Sequence, residues 1–373
     1  MMSDIEAETK DETQLSDRPK KRGHIWTHIV PLVVVAVVVF FGARISFQND
    51  AARSGCRPDP TAAIEALPSG AVWTGRNRCY ILTSGSGMII TKAVTLKNAT
   101  FIDPAVLVAG APSSPALQPI IHINKASDVT LKNITLQGEN ISGGYHGLPW
   151  VGEEGIKING SHNVTLDNIN TVNTFGDGLL MDSAAPVTRN PSTNITVNGL
   201  TVTQAGRQGV TAAYVTNSTL NNVDIVSSAD TGWDFESDIT AGAANVIVNG
   251  ATGQGVRIIE DLTGPITFNN ANLTGGVTLQ GEAAASHQPV IFNGGSMALK
   301  RSYNGTPPAG IYVNGPGNLT LTNINVTRQP GTSAATGLTW TAVNGGHITF
   351  NNSPVSGGPL GVNDVTSKVV VAK

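Results

Sequence analysis

Within TGWDFESD, residues 231–238, an acid stands at every second position: Asp234, Glu236 and Asp238 alternate with Trp233, Phe235 and Ser237. Side chains two apart on a strand share a face, so this spacing predicts buried rings on one side and a row of three carboxylates on the other. Carboxylates held close together can bind a hard cation or run acid–base chemistry, one as the acid and the other as the base. Arg257, in GVRI, supplies a cation within reach if the two segments stack.

Whether they stack is decided by a repeat. VTLKN occurs at 94–98 and again at 129–133, and the series continues as VTLDN (164), ITVNG (195), STLNN (218), VIVNG (246), ITFNN (266), VIFNG (290), LTLTN (319) and ITFNN (348), ten copies 20 to 35 residues apart. Positions one and three are apolar except at Ser218, the second is Thr or Ile, and the fifth is Asn or Gly. The alternation predicts a strand. Asn and Gly are the residues that tolerate a left-handed backbone, so position five predicts a fixed corner, along which asparagine amides can form a ladder.

A second motif, Gly-apolar-x-apolar, recurs at Gly155, Gly178, Gly209, Gly232, Gly255, Gly276, Gly310 and Gly337. Short strands joined by a constant corner at this period describe a parallel coil of strands. No hexapeptide repeat marks a left-handed version, and a β-sandwich has no reason to keep one corner residue through ten copies. On these motifs residues 60–373 resemble the right-handed parallel β-helix proteins of the pectin-lyase-like superfamily. The resulting fold class is all-β, a right-handed parallel β-helix of about ten rungs over residues 91–373.

Aligned rung on rung, the second motif places Lys157, Leu180, Thr211, Asp234, Arg257, Thr278, Tyr312 and Thr339 in one outward column. The neighbouring column holds Asn159, Asp182, Ala213, Glu236, Ile259, Gln280, Asn314 and Thr341. Charge gathers between Lys157 and Arg257, which makes the middle of the coil the candidate site. Two chemistries and one purely structural reading fit. Asp182 and Glu236, two rungs or about 9.6 Å apart along the backbone, suit an inverting glycosidase. Arg257 could instead act as the base of a lyase, the acid row taking the uronate or Ca²⁺. Without a ligand, Asp234 and Arg257 form a solvated pair worth roughly 0 to 1 kcal/mol.

The resemblance implies a polygalacturonase-like site, but its acids are replaced: Phe175 follows Asn173 and Thr174, Arg207 and Gln208 stand for an acid pair, and Ile259 replaces a lysine after Arg257. The catalytic candidates are therefore Asp182, Asp234, Glu236 and Arg257, with Lys157, Asp177, Arg207, Trp150 and Tyr145 as substrate-binding candidates. Trp150 and Tyr145 lie in the long insertion before Gly155, where exposed rings can stack on sugars or simply pack the loop down. No metal motif and no cofactor is expected beyond a Ca²⁺ ion in the lyase case.

Residues 25–43, IWTHIVPLVVVAVVVFFGA, are free of formal charge and long enough to span a bilayer. Lys20, Lys21 and Arg22 precede them, which predicts a signal anchor with residues 1–24 as a disordered cytoplasmic tail and the remainder exported; a cleaved signal peptide is the alternative. Residues 44–90 then form a juxtamembrane cap, in which Cys56 and Cys79 can form a disulfide in an oxidising compartment. A net charge of −3 argues against a nucleic-acid partner. The function classes are a polysaccharide hydrolase or lyase, a glycan-binding surface protein, or a structural rod.

Overall fold

The computed structural model describes residues 55–83, 87–104, 118–147, 150–183, 190–238, 241–259, 262–280, 288–299, 309–328, 339–354, 360–362 and 368–372. Residues 1–24 and the apolar stretch 25–43 lie outside this set. Among the described residues no helix is long and apolar enough to cross a membrane.

Two parallel sheets run the length of the coil. In the first, twelve strands follow one another in chain order from Ala71–Ile81 and Val94–Ile102 to His347–Asn351 and Lys368–Ala372. In the second, eleven strands do the same from Met88–Ile90 to Leu360–Val362. Each turn of chain contributes a strand to both sheets, which is a parallel β-helix. The single antiparallel ladder among the described residues joins Ser237–Asp238 to Ala241–Gly242.

The first motif sets the register of the first sheet. Val94 pairs with Val129, Val129 with Val164 and Val164 with Ile195, and the series continues through Ser218, Val246, Ile266, Val290, Leu319 and Ile348. Positions one and three point inward and are buried throughout. Ser218 is buried as well, its hydroxyl donating to the Thr216 carbonyl and accepting from the Ile195 N–H. All ten fifth positions have positive φ, seven as Asn and three as Gly, for example Asn133 at 52° and Gly199 at 80°. The expected amide ladder is present: Asn168 donates to Asn133 and Asn133 to Asn98, each at 2.9 Å.

The coil begins earlier than the repeat implied. Ala71–Ile81 and Met88–Ile90, within the stretch expected to be cap, already form the first rung. The motif is hidden there because the register shifts between Thr74 and Arg78. What precedes this rung does cap it: the short helix Thr61–Glu65 buries Ile64, and a Cys56–Cys79 disulfide ties the segment down. The aromatic core lies midway along the rod, where Trp233 and Phe268 meet edge to face at 5.5 Å and Phe268 stacks on Phe292 at 4.6 Å.

Candidate functional site

The glycine of the second motif allows neighbouring turns to approach backbone to backbone. A Cβ on Gly178 would lie 2.7 Å from the Gly209 carbonyl oxygen, and a Cβ on Gly209 would lie 2.7 Å from that of Gly232. No other residue fits at that separation. The turns leading into these glycines therefore stack tightly and bring Asp177, Arg207 with Gln208, and Asp230 to one side of the coil. The strands that follow add Thr211, Asp234 and Arg257 in strict register.

Asp177 is fully buried. One oxygen accepts the Gln208 N–H at 3.0 Å; the other accepts the Thr211 hydroxyl at 2.7 Å and faces Arg207 Nη1 at 3.5 Å. Burial raises its pKa, against the pull of Arg207 and of the Thr211 and Gln208 hydrogen bonds. Arg207 reaches on to Glu236, with Nη2 3.4 Å from Oε1. Burial works against the Arg207 charge, but Asp177, Glu236 and Asp234 outweigh it and raise its pKa.

Asp234 is also fully buried. Arg257 grips it through Nε at 3.1 Å and Nη2 at 2.5 Å, and its third nitrogen reaches Asp230 at 2.8 Å. Gln208 Nε2 completes the cage at 3.0 Å. Asp234 is thus not on a wet wall beside Glu236 and Asp238, as the alternation implied. The strand ends at Phe235, and Ser237–Asp238 turns away into the antiparallel pair. Asp238's side chain lies outside the described residues. Burial works against the charge on Arg257, but Asp234 and Asp230 outweigh it and raise its pKa further.

Glu236 differs from the other two. Its side chain is 23% exposed, and burial together with the nearby Asp234 charge lifts its pKa to about 7, against Arg207. At neutral pH it is divided between acid and carboxylate. Asp182 stacks on Asn159 at the far end of its strand, its Oδ1 accepting the Ser183 N–H at 2.6 Å. Ala213 lies between Asp182 and Glu236: its N–H bonds to the Met181 carbonyl, and the Glu236 N–H bonds to that of Ala212. At the near edge Lys157 sits 3.5 Å from Glu154, a buried acid also raised to about 7, by burial first and against the pull of Lys157.

Tyr145 is exposed, and Trp150 opens a 3₁₀ turn, Trp150–Gly152, its ring lying outside the described residues. Phe175 is buried with its ring at 5.4 Å from His146, edge to face. Sequence reasoning missed Asp230, Glu154 and the clamping role of Gln208. Asp230 and Gln208 were signalled by their place just before a motif glycine. The outward column also needs one correction at its end: Tyr312 pairs with Thr341, not Thr339, and Asn314 pairs with Val343, because the register shifts between Ala309 and Ile311. Among the described residues no group of three His, Cys, Asp or Glu side chains is placed to hold a metal ion.

No protein-family model matches the chain, and no curated protein matches it. Among solved structures it is similar to the A-module of the mannuronan C-5 epimerase AlgE4 of Azotobacter vinelandii, at 12% identity over 84% of this chain and 96% of that one, with a TM-score of 0.44. It is also similar to a family 28 exopolygalacturonase of Yersinia enterocolitica, at 11% identity over 84% and 74%, TM-score 0.42. A third is PfbA, a surface adhesin of Streptococcus pneumoniae, at 11% identity over 83% and 86%, TM-score 0.42.

Proposed function

We propose that this β-helix acts on polysaccharide as a glycoside hydrolase, with Glu236 as the proton donor to the leaving oxygen and Asp182 as the carboxylate that activates water. One observation carries it: the backbone sets Glu236 two rungs from Asp182 with Ala213 on the rung between them, and the pKa of Glu236 is lifted to about 7 while Asp182 accepts a backbone N–H. Two rungs, about 9.6 Å along the backbone, reach the upper limit for the paired carboxyls of an inverting enzyme. Arg207 and Lys157, both partly exposed beside the column, would bind substrate hydroxyls or carboxylates, and Tyr145 would offer a ring. Asp177, Asp234 and Arg257 serve as the frame that aims Arg207 and raises Glu236.

The test is to incubate the full chain with a panel of neutral and acidic polysaccharides, following new reducing ends and unsaturated-uronate absorbance together. Reducing ends without uronate absorbance, lost in Glu236→Gln and in Asp182→Asn, support hydrolysis. Uronate absorbance that survives Asp182→Asn refutes it in favour of elimination. Binding without turnover in every case makes the protein a glycan-binding surface module. The apolar stretch 25–43 belongs to the same proposal as a signal anchor with the coil outside the cell, and the Cys56–Cys79 disulfide supports export. Protease digestion of intact cells checks it: a coil that resists digestion until the cells are lysed would refute the topology.

A further inference from the structure

Glu153 is a buried acid that the candidate site leaves unused. It follows the turn Trp150–Gly152, and its side chain is shut off from solvent. Among the described residues neither carboxylate oxygen makes a well-formed hydrogen bond, and the Phe175 N–H is the one donor that acts on it. Two glycines clear its space. A Cβ on Gly138 would lie 2.3 Å from Glu153 Oε1 and 2.4 Å from the Asn173 carbonyl oxygen; a Cβ on Gly176 would lie 2.3 Å from the Val151 carbonyl oxygen.

Its neighbours are mostly acceptors and acids. The Asn173 carbonyl adjoins it, and Asp103, Glu139 and Glu154 all act on it as like charges. Lys157, the nearby cation, is paired with Glu154, which also feels Asp177. The Phe175 N–H alone favours the ionised form. A carboxyl group among acceptors satisfies them only by carrying its own proton. Burial first, then Asp103, holds Glu153 well above the usual carboxylate range.

The backbone of Glu153 joins the insertion to the site. Gly176 N–H donates to the Glu153 carbonyl at 2.9 Å, and Asn140 N–H donates to the Asn173 carbonyl at 2.8 Å. Asn140 Nδ2 reaches the Thr174 carbonyl at 3.1 Å, and Gln204 Nε2 the Ile141 carbonyl at 3.2 Å. The Asn140 and Gly176 bonds grip the turn 173–178, which carries Asp177, the buried anchor of Arg207, while Gln204 holds the insertion from the next turn of the coil.

We propose that Glu153 is a proton-operated latch: as a neutral acid it lets residues 139–147 and 150–153 seat on the turn 173–178, and as a buried anion among like charges it drives them off. Opening frees the turn and loosens Arg207. The latch does not depend on a catalytic role for Glu236, because its signature is structural. A folded-state pKa raised above the ordinary 4.5 contributes stability that is complete below 4.5 and is lost as pH rises through the folded value.

The experiment is hydrogen exchange of the full chain between pH 5 and 9, comparing wild type with Glu153→Gln at each pH so that intrinsic exchange cancels. Expected is an opening constant for 139–147 and 150–153 that rises in the wild type about tenfold per pH unit relative to the variant, then levels off above the folded pKa. A second variant, Asp103→Asn, removes the strongest like charge and must bring that plateau to lower pH. A wild-type to variant ratio that stays flat with pH overturns the latch, as does a plateau unmoved by Asp103→Asn. Protection lost to a chelator and restored by Ca²⁺ at fixed pH also overturns it, and makes these acids a cation site.

Discussion

Replacing Arg257 with Met tests how the middle of the coil is built. The guanidinium makes two hydrogen bonds to Asp234, which is fully buried, and one to Asp230, which is 23% exposed. After Arg257→Met, Asp234 keeps only the Gln208 amide as a strong donor. A buried carboxylate stripped of its partner costs about 3 to 5 kcal/mol, whereas a solvated pair would cost 1 kcal/mol at most. Gly55–Lys373 comprises 319 residues, and about 2.1 cal/mol/K per residue makes the unfolding entropy roughly 0.7 kcal/mol/K. The melting temperature should then fall by about 4 to 7 °C if the coil melts as one unit, and by more if rungs melt in smaller groups. Differential scanning calorimetry measures it. The double variant Asp234→Asn/Arg257→Met leaves no unpaired charge at position 234 and should recover most of the loss, with a coupling of at least about 2 kcal/mol. A drop below about 1.5 °C, with no recovery in the double variant, would show the pair to be solvated and would refute the cage.

Glu236→Gln should abolish polysaccharide cleavage with little loss of stability. In the wild type the rate should fall on the alkaline side, above a pH near 7, the value to which burial and Asp234 lift Glu236, as the proton donor is lost. The same shift gives a stability term complete below about 4.5 and lost through pH 7, so urea midpoints for wild type and variant should converge at low pH and part above neutrality. Asn133→Ala removes two ladder hydrogen bonds and keeps a Cβ at φ 52° without the amide that tolerates it, so it should destabilise by about 1 to 2 kcal/mol more than Asn133→Gly, which relieves the corner; equal losses would show the ladder alone to matter. Reducing Cys56–Cys79, 23 residues apart, should cost about 3 kcal/mol and fray the first rung, seen as faster exchange in Ala71–Ile81 than in Val94–Ile102.

The coil was legible because its rules are local. A backbone that must turn left-handed admits Asn or Gly, and a two-residue period decides which side chains face inward, so ten corners and their register could be read without coordinates. The Asp234–Arg257 contact followed from that register alone. The first rung escaped because an irregularity between Thr74 and Arg78 breaks the period, and the end of the outward column slipped because another lies between Ala309 and Ile311. Sequence could also say that charge gathers between Lys157 and Arg257. It could not say which charges are wet. Outward on a strand is not the same as exposed, because the turns before Gly178, Gly209 and Gly232 fold Asp177, Gln208 and Arg207 over the strand face and bury Asp234 beneath them. That covering depends on side chains 22 to 34 residues apart meeting in space. Proton affinity depends on how much solvent each acid loses and which charge it meets, so only the tertiary structure separates Glu236, poised near 7, from the acids locked around it.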